Sequence, residues 1–517
     1  MAQNLKNIGV VSLFTVGSRV LGLLRDILIF ASLGAGIWNS AFIMAFTLPN
    51  LFRRLLGEGA LTSALVPVLT GVIEKDGSGA AFRFFNQIFL RLCLILLVTV
   101  GSGIAGLWTL KQVGCFSEQW RLGAELSMVL LPYMIFICVA AIFSAALQCL
   151  GRFTVAASAP ILLNLAMIAA LVAAFFQDSN ERSTVYLLCA GVLFGGFLQI
   201  ALTGSDFIRQ GWRPGFPRGS SEALTRLWQL FLPGLLGAAI LQVNILVSRL
   251  LAFSLDESAV SVLYLASRLM ELPLGVFTIA VVTVYFPLLS RMIAEKNLDG
   301  FRATFHEGVQ LIFAITIPAG IGLAVLAGPI LSFLFQWGAF EVRDVAATLP
   351  LLVIYGLGLP LYSIATFATR GLHANQDMVT PVRIAAYCLT VNFIVGFVLM
   401  QIFGAAGLAL GNVISALVQA VLLWSAISRY DTRFCQSGLI SSLLKVCLAG
   451  GVMGVVCWAG YGVIFSSIAS GKSRDALALF ILIPLGALLY FATLNLLRYE
   501  PMESLKGVVL KSIRPKS

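Results

Sequence analysis

The chain has 517 residues, of which 59% are hydrophobic and 11% charged, with a formal net charge of +11. Soluble globular domains carry about 25% charged residues, so this composition excludes a soluble enzyme or nucleic-acid-binding module and indicates a polytopic membrane protein. The apolar runs are too long for the strands of a β-barrel, so the sequence predicts an all-α integral membrane protein.

Apolar runs along the chain predict fourteen transmembrane helices, since about 20 apolar residues are needed to cross a bilayer. These runs lie at roughly residues 8–33, 37–56, 80–108, 122–150, 158–176, 184–205, 225–253, 258–290, 307–335, 344–370, 381–402, 407–428, 439–466 and 474–497. Lysine and arginine are concentrated in the loops on the side of the N-terminus, which predicts that both termini are cytoplasmic.

The longest polar break among the first twelve helices is residues 206–224, a segment rich in Gly, Pro and Arg. Such a composition predicts a cytoplasmic linker. It separates a predicted N-lobe (1–205, helices 1–6) from a C-lobe (225–430, helices 7–12). Helices 13 and 14 follow in residues 431–500, and residues 501–517 form a basic cytoplasmic tail.

The two halves contain similar motifs. "SALVPVLT" (63–70) matches "TVYFPLLS" (283–290) in residue type at nearly every position, and "LP" occurs upstream at 48–49 and 272–273. Each half has an even number of helices, so the two copies enter the membrane in the same sense. This predicts two pseudo-symmetric six-helix lobes related by an axis along the membrane normal, which is typical of alternating-access transporters. Chance similarity between apolar segments is the alternative.

Charged residues interrupt the first helix in the segment "SRVLGLLRD" (18–26), which contains Arg19, Arg25 and Asp26. Each charge costs about 2.5–3.5 kcal/mol at the bilayer centre on an insertion scale, so a function is expected to repay that cost. Helical spacing puts Arg19 and Asp26 on one stripe and Arg25 about 120° from Arg19. The arginines therefore flank one face of the helix.

The second and eighth helices, which are equivalent in the repeat, carry charges too. The second ends with Arg53, Arg54 and Glu58, and the eighth contains Arg268 and Glu271, three residues apart on one face. Helices related in this way are expected to line a shared central cavity. Guanidinium groups converging there favour a phosphate or diphosphate ligand, whereas internal pairing of these arginines with their acidic neighbours is the alternative. Arg54 is expected to extend to the inner interface.

No motif for catalysis, metal binding or ATP hydrolysis is present in the sequence. His306 and His373 are far apart, the nine cysteines form no CxxC pair, and "SGKSRD" (470–475) lacks the first glycine of a Walker A motif. We therefore expect a transporter and not an enzyme, with no catalytic residue, metal or cofactor. Such a transporter would use the membrane potential or a gradient of a monovalent ion.

Three asparagines lie in apolar runs: Asn244, Asn392 and Asn412. Two roles are open for them. They help to coordinate a coupling cation, or they form hydrogen bonds between helices, which is the more common use of such residues.

Several segments resemble the MurJ (MviN) family of lipid II flippases in the multidrug/oligosaccharidyl-lipid/polysaccharide (MOP) exporter superfamily. They are "SRVLGLLRD" (18–26), "LPNLFRRLLGEGALTSALVPVL" (48–69), "SRLMELPLGVF" (267–277) and "QDMVTPVRIA" (376–385). The resemblance extends over nearly the whole chain. It implies a protein of the bacterial inner membrane that moves lipid II, an undecaprenyl-diphosphate-linked peptidoglycan precursor, from the cytoplasmic to the outer leaflet.

The resemblance also implies roles for individual residues. The family's functional arginines correspond to Arg19, Arg25, Arg53 and Arg268, and the last three are expected to bind the diphosphate. Asp26, Glu58 and Glu271 fall at supporting acidic positions. The implied partners are lipid II, membrane lipids and the cell-wall synthesis machinery, and helices 13 and 14 are expected to form a groove for the lipid tail.

Two positions depart from the family pattern. Ser40 and Ser267 stand where the family usually has acidic residues, so a transport step that uses those carboxylates is in doubt.

Export of another lipid-linked saccharide or of amphipathic drugs is an alternative transport function, since such exporters have the same fold. The arginines argue against a cationic drug. A scaffold role is a further alternative, against which the short loops leave little room for a soluble domain.

Overall fold

The computed structural model describes residues 2–57, 59–114, 117–216, 221–429, 437–467 and 471–499, and all regular secondary structure in these ranges is helical. The predicted all-α membrane fold is therefore confirmed. Within the described residues, ten helices are long and apolar enough to cross a membrane, or up to eleven if a pair bent by 42° counts as one span. The number fourteen stays a prediction.

Sixteen α-helices and two π-helices make up the described chain. The α-helices are α1 (Ala2–Leu33), α2 (Ile37–Phe52), α3 (Ala60–Val113), α4 (Glu118–Leu130), α5 (Tyr133–Cys149), α6 (Phe153–Phe176), α7 (Glu181–Arg209), α8 (Glu222–Leu255), α9 (Ala259–Pro273), α10 (Ile279–Ala294), α11 (Leu298–Val325), α12 (Ala327–Phe335), α13 (Val342–Ala374), α14 (Val379–Ser428), α15 (Ser437–Ser467) and α16 (Lys472–Leu496). The first π-helix is Arg53–Gly57 and the second is Leu274–Thr278.

Two of the helices are too long to be one transmembrane span each. α3 has 54 residues and α14 has 50, and each contains one glycine with a non-helical backbone: Gly77 (φ +79°) and Gly404 (φ +57°). Glycine reaches positive φ without the steric cost that other residues incur. The break at Gly404 lies between the predicted helices 381–402 and 407–428, so α14 contains both of them in two arms.

The chain forms two compact units. Unit 1 comprises Met1–Ser261 and Trp337–Phe340, and unit 2 comprises Val262–Gln336 and Glu341–Ser517. This division differs from the predicted lobes, because α8 packs against α3 and so belongs to unit 1. The lobe boundaries stay a prediction.

In unit 1, α6 packs against α7 and α1, while α5 packs against α7 and α3. The predicted linker 206–224 is helical at both ends, because α7 runs to residue 209 and α8 begins at residue 222. Between them, Trp212 is buried in a cluster of aromatic rings. Those rings are Phe85, Phe89, Phe143 and Phe207. Trp212 Nε1 also donates to Asn86 Oδ1 at 2.8 Å, and Asn86 Nδ2 donates to the Arg213 carbonyl at 3.0 Å. The segment after α7 is therefore fixed to α3.

In unit 2, α13 packs between α11 and α14, and α15 packs against α16 and α11. Two tyrosines hold the end of α16 on α11. Tyr490 Oη donates to the Ala314 carbonyl at 2.7 Å, and Tyr499 Oη donates to the Gln310 carbonyl at 3.0 Å. Burial raises the pKa of the Tyr499 phenol, which keeps it a hydrogen-bond donor.

The two π-helices occupy matching places in the predicted repeat. The first begins at residue 53 and the second at residue 274, a spacing within one residue of that between "SALVPVLT" and "TVYFPLLS". Each follows a proline and leads into a further helix that contains a proline, Pro67 or Pro287. π-Helical turns are rare and are found frequently at functional sites.

Candidate functional site

Arg25 and Asp26 form a buried ion pair on α1, with only 9% and 1% of their surfaces exposed. Arg25 donates to the same oxygen, Asp26 Oδ1, from Nη2 at 2.6 Å and from Nε at 3.0 Å. A charge-assisted pair of this kind offsets part of the cost of burying each charge. The predicted substrate-binding arginine thus has an internal partner in this structure, as the alternative interpretation of these charges expected.

Asn164 on α6 provides the third contact of this site. Its Oδ1 accepts a hydrogen bond from Arg25 Nη1 at 3.0 Å, and its Nδ2 donates to the carbonyl of Ser18 at 3.1 Å. Met167 Sδ lies 3.9 Å from the same Nη1 atom. Asn164 was not among the predicted site residues, although its position as a polar residue in the apolar run of α6 is a sequence signal for such a role.

Arg19 lies on the same helix but in a different environment. Its side chain is exposed and forms no hydrogen bond or ion pair with any residue that the structure describes. Arg19 and Asp26, which were predicted to lie on one stripe of the helix, therefore differ in exposure: Arg19 is exposed and Asp26 is buried. Arg19 and Arg25 are not brought together by a shared partner in unit 1.

Arg53 is the first residue of the first π-helix and is partly buried. Its Nε donates to Asn50 Oδ1 at 3.3 Å, one turn earlier, and its guanidinium lies within electrostatic range of Cys138 on α5. Arg54 is exposed and makes no ion pair in the described part of the chain. Glu58, predicted as a supporting acidic residue, lies outside the described residues.

Arg268 belongs to unit 2, where it pairs with Glu271, as the alternative interpretation of these charges expected. The distance from Arg268 Nη1 to Glu271 Oε2 is 3.5 Å, and the two side chains are 30% and 45% exposed. Exposed ion pairs contribute about 0–1 kcal/mol. The pairing of Arg268 is thus weaker than that of Arg25, and its guanidinium is more accessible.

The two serines at the positions that depart from the family pattern have local partners. Ser40 is fully buried and donates to Ser261 Oγ at 3.1 Å. Ser267 donates to the Tyr264 carbonyl at 2.9 Å. Neither serine therefore leaves an unsatisfied hydroxyl.

Two other groups of polar residues in the helices also have local partners. Arg249 donates from Nη1 to Thr47 Oγ1, so it binds another helix of unit 1. Asn412 Nδ2 donates to Tyr355 Oη at 3.0 Å, which is an interhelical hydrogen bond. No group of three or more potential metal ligands occurs among the described residues.

Solved structures identify the class of this fold. The chain is similar to an inward-facing multidrug resistance transporter of the MATE family in the MOP superfamily, with a TM-score of 0.69 at 15% identity over 80% of this chain and 96% of that chain. It is more similar to the lipid II flippase MurJ in an inward closed conformation, with a TM-score of 0.78 at 25% identity over 93% and 97% of the two chains. The fold is that of a multi-pass membrane transporter of the MOP superfamily.

Sequence relatives identify the family. The model of the lipid II flippase MurJ family matches residues 29–470. A probable lipid II flippase MurJ of Haemophilus influenzae is 33% identical over 86% of this chain and 90% of that protein. A probable lipid II flippase MurJ of Vibrio cholerae is 32% identical over 98% and 96% of the two chains. The chain belongs to the MurJ family, as the resemblance of its motifs implied.

Proposed function

We propose that this chain is a flippase that moves lipid II from the cytoplasmic to the outer leaflet of the bacterial inner membrane. Membership of the MurJ family supports this proposal, and so do its relatives, which are named as lipid II flippases. Lipid II carries a diphosphate between a polyprenyl tail and a saccharide. A transporter for it has to stabilise that anion inside the membrane.

The observation that carries the proposal is Arg25, a guanidinium buried in an apolar helix and held by two side chains. Arginine remains protonated in proteins and binds phosphate through parallel N–H donors. The contacts to Asp26 and Asn164 fix its orientation at 2.6–3.0 Å. Orientation fixed in advance reduces the entropy that a ligand loses on binding.

We assign the diphosphate to Arg25, Arg53 and Arg268, with Arg19 as a fourth binding residue. Asp26 and Glu271 are paired with two of these arginines, so they moderate the positive charge before substrate arrives. The incoming diphosphate then competes with a carboxylate at each of the two positions. Competition of this kind weakens binding of the diphosphate and therefore favours its release.

The transport cycle proposed here is alternating access driven by the membrane potential or by a monovalent ion. Moving one charge across 100 mV is worth about 2.3 kcal/mol. Both termini are assigned to the cytoplasm, and the cell-wall synthesis machinery is the expected neighbour of the transporter. Export of another lipid-linked saccharide would use the same arginines, whereas export of a cationic drug would require an acidic site.

A depletion–rescue experiment tests the proposal. The native flippase of a bacterium is depleted, this chain or a variant is expressed, and lipid II accessible on the outer face of the membrane is measured. The parent chain should restore accessible lipid II. Arg25→Ala, Arg53→Ala and Arg268→Ala should each abolish it while still inserting in the membrane.

Arg343→Ala is the matched control, because Arg343 is a surface arginine with 80% of its side chain exposed. It should rescue like the parent chain. Rescue by all three alanine variants would contradict the assignment of the diphosphate-binding residues. Failure of the parent chain, with the protein present in the membrane, would contradict lipid II as the substrate.

A further inference from the structure

Arg249 is a further arginine inside a membrane span of unit 1. It lies in α8, which is a candidate span with no acidic residue after Glu222, and it is partly exposed. A charged residue inside a span is costly and usually serves a function. A hydrogen bond between two helices does not require a charge, so packing of α8 alone does not explain the arginine.

Arg249 contacts α2 at Thr47. Its Nη1 donates to Thr47 Oγ1, and that hydroxyl donates its own proton to the Ile43 carbonyl at 2.6 Å. Thr47 is 3% exposed, so the contact is made in the interior of unit 1. The hydroxyl is thereby oriented with its oxygen toward the guanidinium.

Arg53 is held in the same way one turn further along α2. Its Nε donates to Asn50 Oδ1 at 3.3 Å, and Asn50 Nδ2 donates to the Phe46 carbonyl at 3.2 Å. Thr47 and Asn50 thus each bind the backbone carbonyl four residues earlier and present an oxygen to a guanidinium.

These two anchoring side chains are neighbours on one face of α2. Thr47 and Asn50 are three residues apart, which places their Cβ atoms about 5–6 Å from each other. α8 packs against α2 and also against the π-helix that begins at Arg53. The guanidiniums of Arg53 and Arg249 are therefore anchored at adjacent positions by neutral side chains.

The charge of this group is positive. α2 has no charged residue, and the acidic residue that follows the first π-helix in the sequence is Glu58. Asp256, just beyond α8, accepts hydrogen bonds from the backbone of Ser258 and Ala259. Two arginines and one glutamate leave a net positive charge. A guanidinium has five N–H donors and each anchor uses one of them, so a guanidinium can bind its anchor and a phosphoryl group together.

We propose that Arg53 and Arg249 form a two-point site for the diphosphate of the substrate lipid, with one guanidinium on each phosphoryl group. The two phosphoryl groups share a bridging oxygen, so they match two donors anchored at neighbouring positions of one helix. Guanidinium binds phosphoryl oxygens through parallel N–H groups. Arg249 is thus a further substrate-binding residue of unit 1, and it selects a diphosphate over a monophosphate. This inference rests on the proposed function, because it takes a diphosphate lipid as the substrate.

Binding of two lipids with the same tail tests the site. The full chain, purified in detergent, is titrated with undecaprenyl diphosphate and with undecaprenyl monophosphate, and the bound lipid is measured by native mass spectrometry. The parent chain should retain the diphosphate about tenfold better than the monophosphate, because the diphosphate makes a second charge-assisted contact. Equal retention of the two lipids by the parent chain would overturn the proposal.

Substitutions of the two arginines separate binding from packing. Arg249→Gln should remove most of the preference, because it lowers retention of the diphosphate and leaves Arg53 to hold the monophosphate. Arg53→Gln should have the same effect, since each residue supplies one of the two points. Arg249→Lys, which keeps the charge without the parallel N–H donors, should give an intermediate preference. If Arg249 served packing alone, Arg249→Gln would lower retention of both lipids equally, and the proposal would be overturned.

Arg91→Gln is the matched control. Arg91 lies in an apolar part of α3 in the same unit and is partly exposed. It forms no hydrogen bond or ion pair with any residue that the structure describes. The control should retain both lipids as the parent chain does. A loss of preference equal to that of Arg249→Gln would show that the effect is not specific to the two-point site and would overturn the assignment.

The depletion–rescue experiment gives a separate answer, because these two lipids carry no saccharide or peptide. If the parent chain prefers the diphosphate but does not restore accessible lipid II, lipid II is contradicted as the substrate and the two-point site stands. If the parent chain rescues and Arg249→Gln keeps the full preference, Arg249 is removed from the site and the lipid II assignment is unaffected.

Discussion

Asn164 holds Arg25 by a 3.0 Å hydrogen bond and, through the other end of the same amide, donates to the Ser18 carbonyl two turns earlier on α1. One side chain on α6 therefore fixes both the backbone of α1 and the direction of its buried guanidinium. Asn164 is 6% exposed, so these contacts are made in the interior of unit 1. We regard it as the positioning residue for Arg25.

Asn164→Leu should lower the rate of lipid II transport about tenfold or more, since a hydrogen bond to a charged group is worth about 1.5–3 kcal/mol. The variant retains the side-chain volume but removes the acceptor for Arg25 Nη1. The measurement is the rate at which lipid II appears on the outer face of the membrane.

The control for general destabilisation is Asn180→Ala. Asn180 caps α7 by accepting a hydrogen bond from the Ser183 N–H at 2.9 Å, and losing such a cap costs about 1 kcal/mol. This variant should be less stable yet transport normally. Equal losses of transport in both variants would show that Asn164 acts only through stability.

Arg53 and Arg54 provide a pair of neighbouring arginines with opposite expectations. Arg53→Lys should reduce lipid II transport about tenfold, because a lysine cannot form the two parallel N–H contacts of a guanidinium to a phosphate. Arg54→Lys should be nearly neutral, because Arg54 is exposed and keeps its charge. Both variants are scored in the depletion–rescue assay. A stronger defect for Arg54→Lys than for Arg53→Lys would contradict the assignment.

Trp212 fixes the segment after α7 to unit 1, so Trp212→Ala should strongly destabilise the protein. Removing a buried aromatic side chain typically costs about 3–5 kcal/mol. Trp212→Phe should keep most of the ring packing and lose mainly the hydrogen bond to Asn86, at a cost of about 1 kcal/mol. The check is thermal unfolding of the purified protein. Trp108→Ala, at a tryptophan that is 56% exposed, should have little effect.

Gly338 is a second position where substitution should destabilise unit 1. It has a φ of +55°, and a Cβ atom at this position would lie 2.3 Å from the Ala31 carbonyl oxygen. The neighbouring Ala339 N–H donates to that oxygen at 2.7 Å, and the Phe340 ring packs edge-on against Phe30. Gly338→Ala should therefore displace this segment and cost about 1–3 kcal/mol.

Thermal unfolding measures this effect as well. Gly322→Ala is the matched control, because a Cβ atom at Gly322 on α11 meets nothing within 4 Å. Alanine is favoured over glycine inside a helix, so the control should be neutral or slightly stabilising. A control that unfolds at a lower temperature than Gly338→Ala would contradict the steric argument.

The helices were predictable from the sequence, because a bilayer requires long apolar runs and their ends are marked by polar residues. The breaks inside α3 and α14 were harder to predict, because the sequence does not show which backbone conformation a single glycine such as Gly404 adopts. The composition of 206–224 indicated a linker. The burial of Trp212 could not be predicted from that composition, because most of its ring partners come from two distant helices, α3 and α5.

The candidate site was predictable to a similar degree. Arg25 and Asp26 were visible as charges in an apolar run, and the spacing of Arg268 and Glu271 predicted that they share one helix face. Asn164 was not found, because it lies 139 residues from Arg25 and nothing in the local pattern of either helix pairs α1 with α6. The predicted groups are therefore those that local spacing defines, while the contacts that orient them depend on packing between helices.

The two π-helices give each half of the chain one residue more than a regular α-helix needs at that place. A single deletion there would restore the regular α-helix and leave the later side chains close to their present faces, because the wider turn of a π-helix absorbs the extra residue. A deletion in a regular α-helix would instead turn every later side chain on that helix by about 100° relative to those before it. Single-residue deletions are thus expected to be tolerated better within the two π-helices than in the α-helices beside them.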